Sequence, residues 1–410
     1  MTDHRAQALF RPLALPCGVV LKNRIAKAAM SDSLGDGRGD PTRAQMRLYE
    51  RWGEGGAALS IIGEVQGDPR FAEKPGNLVL APGADEARFA ELVRRGGAND
   101  TALFAQLGHA GAMAHPPIGT PKGPSALDLP GLTCAAMTQA EIEALPDDFA
   151  RTADRARKVG FAGVQIHAAH GFLLSQFLSP LFNRRDDRWG GSLERRMRLL
   201  LEVIAAVRAA VGAAFPVALK LNATDQLEGG LTEDEALDVV AALDDTSLDL
   251  VDISGGTYFP GAPSSSDRAT PGPYFVDFAR RARTKTTIPL MVTGGFKRRA
   301  EAIEAITGDG ADMVGLARAL ILDPDLPNRW RAAEDADPAF PHLASSPEGG
   351  VTAWYTMQLT ALGEDRASGE PADPHAALAA YEARDQERVT QWNARFADFS
   401  ADKDKTPPAA

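Results

Sequence analysis

Short apolar runs alternate with longer amphipathic segments along most of the chain. The runs show little polar alternation, a pattern typical of parallel strands that helices cover on their outer face. Eight runs predict strands: Arg24–Met30, Ala57–Gly63, Ala102–Leu107, Gly163–His167, Val217–Leu221, Leu248–Ser254, Pro289–Thr293 and Asp312–Leu316.

The segments between these strands carry start signals for helices. Thr138 and Glu141 have capping-box spacing, as do Thr232 and Glu235, so the side chains can satisfy free backbone N–H groups. Eight strand–helix units over about 300 residues predict an α/β fold, the (β/α)8 TIM barrel. A doubly wound open sheet is disfavoured because no G-x-G-x-x-G motif follows the first strand.

Two connections are longer than ordinary loops. Residues 108–137 follow the third strand and contain five prolines, and residues 168–192 follow the fourth strand. Long loops at the carboxyl ends of barrel strands usually build the active site. The sequence therefore predicts a site at that end of the barrel.

The barrel pattern, assigned to residues 1–335, is followed by a different segment. Residues 336–400 predict a helical extension that packs on the barrel, and residues 401–410 predict a disordered tail. Within the extension, residues 375–398 form one amphipathic helix. Its apolar stripe consists of Leu378, Tyr381, Val389, Trp392 and Phe396. We expect the stripe to cover the outside of the barrel rather than to form a dimer contact.

Composition and charge exclude several classes of protein. The net charge of −11 opposes binding to nucleic acid or to an anionic membrane. Two cysteines, Cys17 and Cys134, are too few for a disulfide framework or a four-thiolate metal centre. The N-terminus lacks the features of a signal peptide, and no run approaches the length of a membrane span, which predicts a cytoplasmic protein. The basic run at residues 184–188 contains two aspartates and predicts a solvated, self-paired loop.

Polar residues and glycines gather where the predicted strands end, and all would face one mouth. These positions are Ala28, Ala29, Met30, Ser31, Gly63, Gln106, His109, His167, His170, Lys220, Gly294, Gly295, Ala317 and Arg318. Glycines near the seventh and eighth strands allow a close backbone approach, and helix N-termini with Arg318 suit a phosphate. Lys220 needs an anion nearby, which would be either a barrel acid such as Glu64 or a bound ligand.

The H-x-x-H pair of His167 and His170 follows the fourth strand. Two neutral imidazoles can each donate an N–H to one acceptor oxygen and stabilise negative charge that develops there. A metal site with His109 as the third ligand and a purely structural role are the alternatives. The absence of an acidic residue from these segments weakens the metal interpretation.

Together these residues resemble the old yellow enzyme family of flavin-dependent oxidoreductases. The resemblance runs from about Phe10 to Trp330. It is carried by LKNRIAKAAMS (21–31), QLGHAG (106–111), GPSAL (123–127), GFAGVQIHAAHGFLLSQFLSPLFNRRDDRWGGSLERR (160–196), VALKLN (217–222), DISGGTY (252–258), TGGF (293–296) and DMVGLARALILDPDLP (312–327).

The resemblance implies an eight-stranded barrel that holds FMN non-covalently at its mouth. It places residues 28–31 and Gly63 beside the flavin, Gln106 at the pyrimidine edge and Lys220 near N1. It assigns the phosphate to Gly294, Gly295, Ala317 and Arg318, and the acceptor to Ser33, His167, His170, Phe172 and Tyr258. NAD(P)H is the expected electron donor, because the chain has neither the cysteines for an iron–sulfur cluster nor a C-terminal Rossmann pattern.

Three positions depart from the family pattern, and Ser31 stands at a variable position near the flavin where cysteine, threonine or serine occurs. Ala29 replaces a common proline, and Lys220 replaces an arginine. Phe172 replaces the tyrosine that protonates the substrate carbon, and phenylalanine cannot donate a proton. Tyr258 or a water could substitute.

We therefore expect an FMN-dependent oxidoreductase that acts on a small electrophilic acceptor, such as an activated alkene, a quinone or a nitro compound. The alternatives are a barrel flavoprotein with weak or lost ene-reductase activity and a histidine-ligated metal hydrolase. The sequence leaves open whether the protein is a monomer or a homodimer.

Overall fold

A computed structural model describes residues 5–259, 262, 272–334, 336–343, 346–366 and 373–401. Eight parallel strands form the barrel: β1 (Ile25–Lys27), β2 (Leu59–Gln66), β3 (Ala102–Gly108), β4 (Gly163–Ala168), β5 (Val217–Asn222), β6 (Leu250–Ser254), β7 (Leu290–Thr293) and β8 (Met313–Leu316). Each strand pairs with the next, and β8 pairs with β1 through Val314 and Ile25, which closes the sheet. The predicted (β/α)8 barrel is confirmed.

Helices cover the outside of the barrel. They are α1 (Arg43–Glu54), α2 (Glu86–Gly96), α3 (Gln139–Lys158), α4 (Leu193–Val211), α5 (Glu233–Leu243), α6 (Val276–Arg283), α7 (Arg299–Thr307) and α8 (Leu326–Arg331). Short helices at Leu173–Leu178 and Arg318–Leu322 follow β4 and β8. Both predicted capping boxes are formed, at the starts of α3 and α5.

Two strand ends differ from the prediction by more than one residue. β1 ends at Lys27, and residues 28–31 continue beyond it towards the carboxyl end. β2 runs three residues past Gly63, because a bulge at Glu64, with φ of 56°, adds a residue without ending the pairing with β3. The long 108–137 connection is more ordered than a simple loop, since it contains a small sheet of Lys122–Gly123, Leu127–Leu129 and Leu132–Ala136.

Apolar side chains close the amino end of the barrel. The hairpin of Leu13–Ala14 and Val20–Leu21 packs there against interior residues that include Phe104, Met291 and Met313. The polar residues at the strand ends therefore face the opposite, carboxyl end.

The C-terminal segment forms α9 (Gly350–Gly363), α10 (Pro374–Arg395) and α11 (Ala397–Ala401). Trp392 and Phe396 of the predicted stripe pack against Ala72, Val79 and Ile118. These partners belong to the connections after β2 and β3, so α10 lies on loops at the carboxyl end rather than on the outer helices. Of the predicted tail, residues 402–410 lie outside the described residues.

The basic run at residues 184–188 forms ion pairs within itself and with α3. In the basic run, Arg185 pairs with Asp187, and Arg188 lies 3.5 Å from Glu143. Among the described helices, none is both long enough and apolar enough to cross a membrane.

Candidate active site at the carboxyl end of the barrel

The two histidines of the H-x-x-H motif lie together at the end of β4. Their ring centroids are 5.3 Å apart and their planes are nearly perpendicular. His170 has φ of 61°, and this unfavourable backbone is held because Asn222 Oδ1 accepts a 3.0 Å hydrogen bond from its N–H. A β-bridge from His170 to Thr257 ties the same turn to the connection after β6.

Both imidazoles are neutral at physiological pH. Burial, followed by the charge of Lys220, lowers the pKa of His170 to about 3. Burial, then His170 and Lys220, lowers the pKa of His167 well below its usual value. Each ring can therefore donate from only one nitrogen.

A hydrogen bond decides which nitrogen of His167 carries the proton. His167 Nδ1 accepts from the backbone N–H of Ala169 at 3.3 Å, so its proton is on Nε2. Ser254 Oγ lies 2.9 Å from His170 Nε2 and can either donate to it or accept from it. With Ser254 as the donor, the proton of His170 is on Nδ1, and each ring has one N–H left for an acceptor.

A buried polar network crosses the barrel beneath this pair. Lys220 Nζ lies 2.7 Å from Asp252 Oδ2, and their side chains are 1% and 0% exposed. Asp252 also accepts from Thr293 at 2.6 Å and from Gln165 at 3.2 Å, and Gln165 accepts from Gln106 at 2.8 Å. The network fixes the Gln106 amide and the Lys220 ammonium on the two strands that flank β4.

One of the two alternatives for Lys220, a barrel acid, is present, but the acid is Asp252 and not the suggested Glu64. Glu64 lies at the β2 bulge, near Glu73. Burial, and then the charge of Glu73, raises the pKa of Glu64 well above its usual value. The backbone N–H of Glu64 donates to Gln106 Oε1 at 3.3 Å, which places this acid pair at the edge of the mouth.

The positions after β1 lie next to β2. A Cβ at Gly63 would be 2.2 Å from the carbonyl oxygen of Met30, so only glycine allows this approach. Ala28 is buried, while Ala29, Met30 and Ser31 are half-buried. Ser33 has φ of 50°, and its carbonyl accepts a 2.6 Å hydrogen bond from Arg388 of α10. The C-terminal helix therefore contacts the edge of this segment.

Glycines follow β7 where a phosphate was expected. Gly294 and Gly295 have φ of 125° and 83°, and a Cβ at Gly295 would meet Gly272 O at 2.3 Å. The short helix after Ala317 starts without a side-chain cap. Arg318 stacks on Tyr355 of α9 at 5.7 Å from the ring centroid. This backbone cradle and its cation suit a small anionic group.

Phe172 and Tyr258 complete the surroundings of the histidines. Phe172 is 2% exposed, and its ring centroid lies 5.0 Å from that of His167. Tyr258 lies 5.6 Å from His170 and 6.0 Å from Phe172, again between ring centroids.

His109 does not join the pair. Its ring stacks on Phe71 with centroids 4.1 Å apart, and its Nδ1 accepts from Gly111. It lines a separate cavity of about 130 Å³ between β2, β3 and α3. Within the described ranges, no group of three or more His, Cys, Asp or Glu side chains could hold a metal ion. The metal interpretation thus lacks a ligand set in this part of the chain.

The sequence interpretation missed several polar residues of the site. Asp252 and Gln165 lie inside strands, and Asn222, Ser254 and Glu73 hold or adjoin the other site residues. The sequence did contain a signal for Asp252 and Gln165, because each is a polar residue within an otherwise apolar run. Their partners depend on strand register, which pairs Gln165 with Gln106 and Lys220 with Asp252.

Comparison with known proteins identifies the family of this chain. Residues 8–335 match the NADH:flavin oxidoreductase / NADH oxidase family. The chain is 36% identical over 355 residues to the NADH-dependent flavin oxidoreductase iliE of Neonectria sp. (strain DH2), covering 77% of this chain and 46% of that protein. It is 34% identical over 354 residues to the protein of the same name from Hypocrea jecorina (strain QM6a), covering 77% and 87%.

A solved structure is also similar to this chain over most of its length. Morphinone reductase superposes with a TM-score of 0.70 at 27% identity, covering 82% of this chain and 92% of that one.

Proposed function

The chain belongs to the NADH:flavin oxidoreductase / NADH oxidase family, and from this premise we propose that it passes hydride from NAD(P)H through FMN to a small electrophilic acceptor held by His167 and His170. The neutral histidine pair at the mouth, with ring centroids 5.3 Å apart, carries this proposal. We further propose that the protein acts in the cytoplasm, as a monomer or homodimer, without nucleic-acid or membrane partners.

The residues present fit FMN. The Lys220 ammonium has three N–H groups, and among the described residues only Asp252 accepts one of them. Two buried donors therefore remain for an anionic or carbonyl edge. The backbone cradle at Gly294 and Gly295, with Arg318 beside it, suits the phosphate.

We assign the cofactor contacts on this basis. Lys220 and Gln106 would hold the pyrimidine side. Residues 28–31 and Gly63 would line the ring, and Gly294, Gly295, Ala317 and Arg318 would bind the phosphate. When bound, FMN supplies the hydride chemistry, and the protein supplies orientation and electrostatics.

The histidines polarise the acceptor. Two N–H donors directed at one oxygen stabilise the negative charge that develops there when hydride arrives elsewhere on the acceptor. Since both rings stay neutral at physiological pH, they donate without carrying net charge. Ser33, Phe172 and Tyr258 would form the rest of the acceptor pocket.

Phe172 limits which acceptors react fastest. An activated alkene needs a proton at carbon after hydride addition, and Phe172 has none to give. Quinones and nitro compounds accept hydride without protonation at carbon, so we propose that they are the preferred acceptors.

Anaerobic addition of NAD(P)H to the purified protein tests the proposed function. We expect a yellow protein whose flavin absorbance bleaches with NAD(P)H and returns when a quinone is added. A yellow protein that NAD(P)H leaves unbleached would indicate a flavin-binding protein without this activity.

Restoring the hydroxyl in Phe172→Tyr should raise the turnover of activated alkenes. General acid assistance is typically worth about 10²–10⁴-fold, and the gain should fall below this range because the native chain has another proton source. Steady-state rates with 2-cyclohexenone measure the gain, and rates with 1,4-benzoquinone serve as the control and should not change. Equal alkene rates in variant and parent, with reoxidation limiting in both, would show that Phe172 does not restrict this step.

A further inference from the structure

Tyr258 is the phenol that lies beside the aromatic position lacking a hydroxyl. Its ring centroid is 6.0 Å from Phe172 and 5.6 Å from His170. Although these rings flank it, Tyr258 is 61% exposed, so one side of the ring is open to the mouth. A bound acceptor that touches the histidines would therefore be close to this side chain.

The backbone fixes Tyr258 relative to the histidines. Its N–H donates to the carbonyl of His170 at 3.1 Å, and Thr257 forms the β-bridge to His170. Thr257 also packs on Gly171, where a Cβ would lie 2.1 Å from its Oγ1. The Tyr258 backbone is thus held to the same turn that presents His170.

The carboxyl groups of Glu64 and Glu73 act electrostatically on Tyr258. Glu64 is 5% exposed, and its burial, followed by the charge of Glu73, raises the pKa of its carboxyl well above the usual value. Glu73 Oε2 is buried and has no hydrogen-bond partner among the described residues. These acids therefore oppose ionisation of the Tyr258 phenol.

The charged groups around Tyr258 keep its phenol protonated. Desolvation of the covered side of the ring, and then the charges of Glu73 and Glu64, raise the pKa of Tyr258, and Arg318 opposes them. Lys74 opposes the rise in the pKa of Glu64. Tyr381 of α10 lies near Glu73 and is itself kept neutral by burial. Tyr258 therefore holds its proton at neutral pH.

We propose that Tyr258 protonates the substrate carbon in place of Phe172. This inference rests on the proposed function. Hydride adds to the β-carbon of an activated alkene, and the π electrons move towards the oxygen held by the histidines. The α-carbon then takes the proton as the Tyr258 O–H bond breaks. The phenolate recovers a proton from water, which can reach the exposed side of the ring. The two electrons come from NAD(P)H.

The test compares single-atom variants of the holoenzyme with two acceptors. In Tyr258→Phe we expect 2-cyclohexenone turnover to fall by about 10²–10⁴-fold, the usual value of general acid catalysis. Any loss of 1,4-benzoquinone turnover should be far smaller than the alkene loss, since Tyr258 borders the pocket for both acceptors but only the alkene is protonated at carbon. Tyr381→Phe is the matched control, because it removes a hydroxyl beside Glu73 but away from His170, and it should leave both rates unchanged.

Failure of this proposal can be told from failure of the proposed function. If NAD(P)H bleaches the flavin and quinones reoxidise it, yet Tyr258→Phe reduces the alkene at the parent rate, Tyr258 is not the donor. A parent enzyme that reduces the quinone but never the alkene would contradict the proposal as well.

Discussion

Asp252→Asn is expected to lower the free energy of unfolding by about 3–5 kcal/mol, the usual effect of removing one partner of a buried ion pair. The carboxylate of Asp252 is 0% exposed and lies 2.7 Å from Lys220 Nζ. Asparagine keeps the shape but leaves the ammonium buried without a counter-ion. The hydrogen bonds from Thr293 and Gln165 would also lose a charged acceptor.

Urea unfolding of the flavin-free protein measures this effect. The matched control is the double variant Lys220→Met with Asp252→Leu, which replaces both charges with apolar groups of similar size. Because such replacements are often neutral for stability, the double variant should be more stable than Asp252→Asn. It should nevertheless bind FMN more weakly, since the buried donor is gone. If the single Asp252→Asn variant is as stable as the parent, the Lys220–Asp252 pair does not contribute to the free energy of unfolding.

The second large effect is expected from the histidine pair. Loss of one donor at a developing negative charge typically costs about 10²–10³-fold in turnover. We expect that loss in acceptor reduction for His167→Ala and for His170→Ala, with FMN still bound. Stopped-flow reoxidation of the reduced protein by a quinone measures it directly.

His109→Ala is the control that separates this role from metal binding. His109 stacks on Phe71 away from the pair, so reoxidation by the quinone should be little changed. If His109→Ala loses as much activity as the other two variants, three histidines act together and the donor-pair interpretation is wrong. Ser254→Ala should give a smaller loss, because it removes only the partner of His170 Nε2.

The barrel strands could be predicted because strands buried on both faces are apolar at most positions. The apolar run at residues 163–167 became β4 almost unchanged. Strand ends were harder, since β2 continues past Gly63 through a bulge that depends on its neighbour β3. Which side chains pair across neighbouring strands could not be predicted. Lys220 meets Asp252 rather than Glu64 because of the register between β5 and β6.

The C-terminal helix illustrates a further limit of prediction. Its apolar stripe indicated that one face is buried, but not what covers it. The structure packs Trp392 and Phe396 on loops at the carboxyl end, and Arg388 reaches Ser33. A periodic pattern shows which face of a helix is buried. Which residues cover that face depends on where the preceding chain places the helix.

Titration of the flavin-free protein with FMN tests the central claim most directly. We expect the fluorescence of added FMN to be quenched until one equivalent is bound, with a Kd in the micromolar range or below, corresponding to about −8 kcal/mol or tighter. Arg318→Ala and the Lys220→Met/Asp252→Leu double variant should each weaken this binding. Unquenched FMN at saturating concentration, or equal affinity in all three proteins, would contradict the assignment of the barrel mouth as the flavin site.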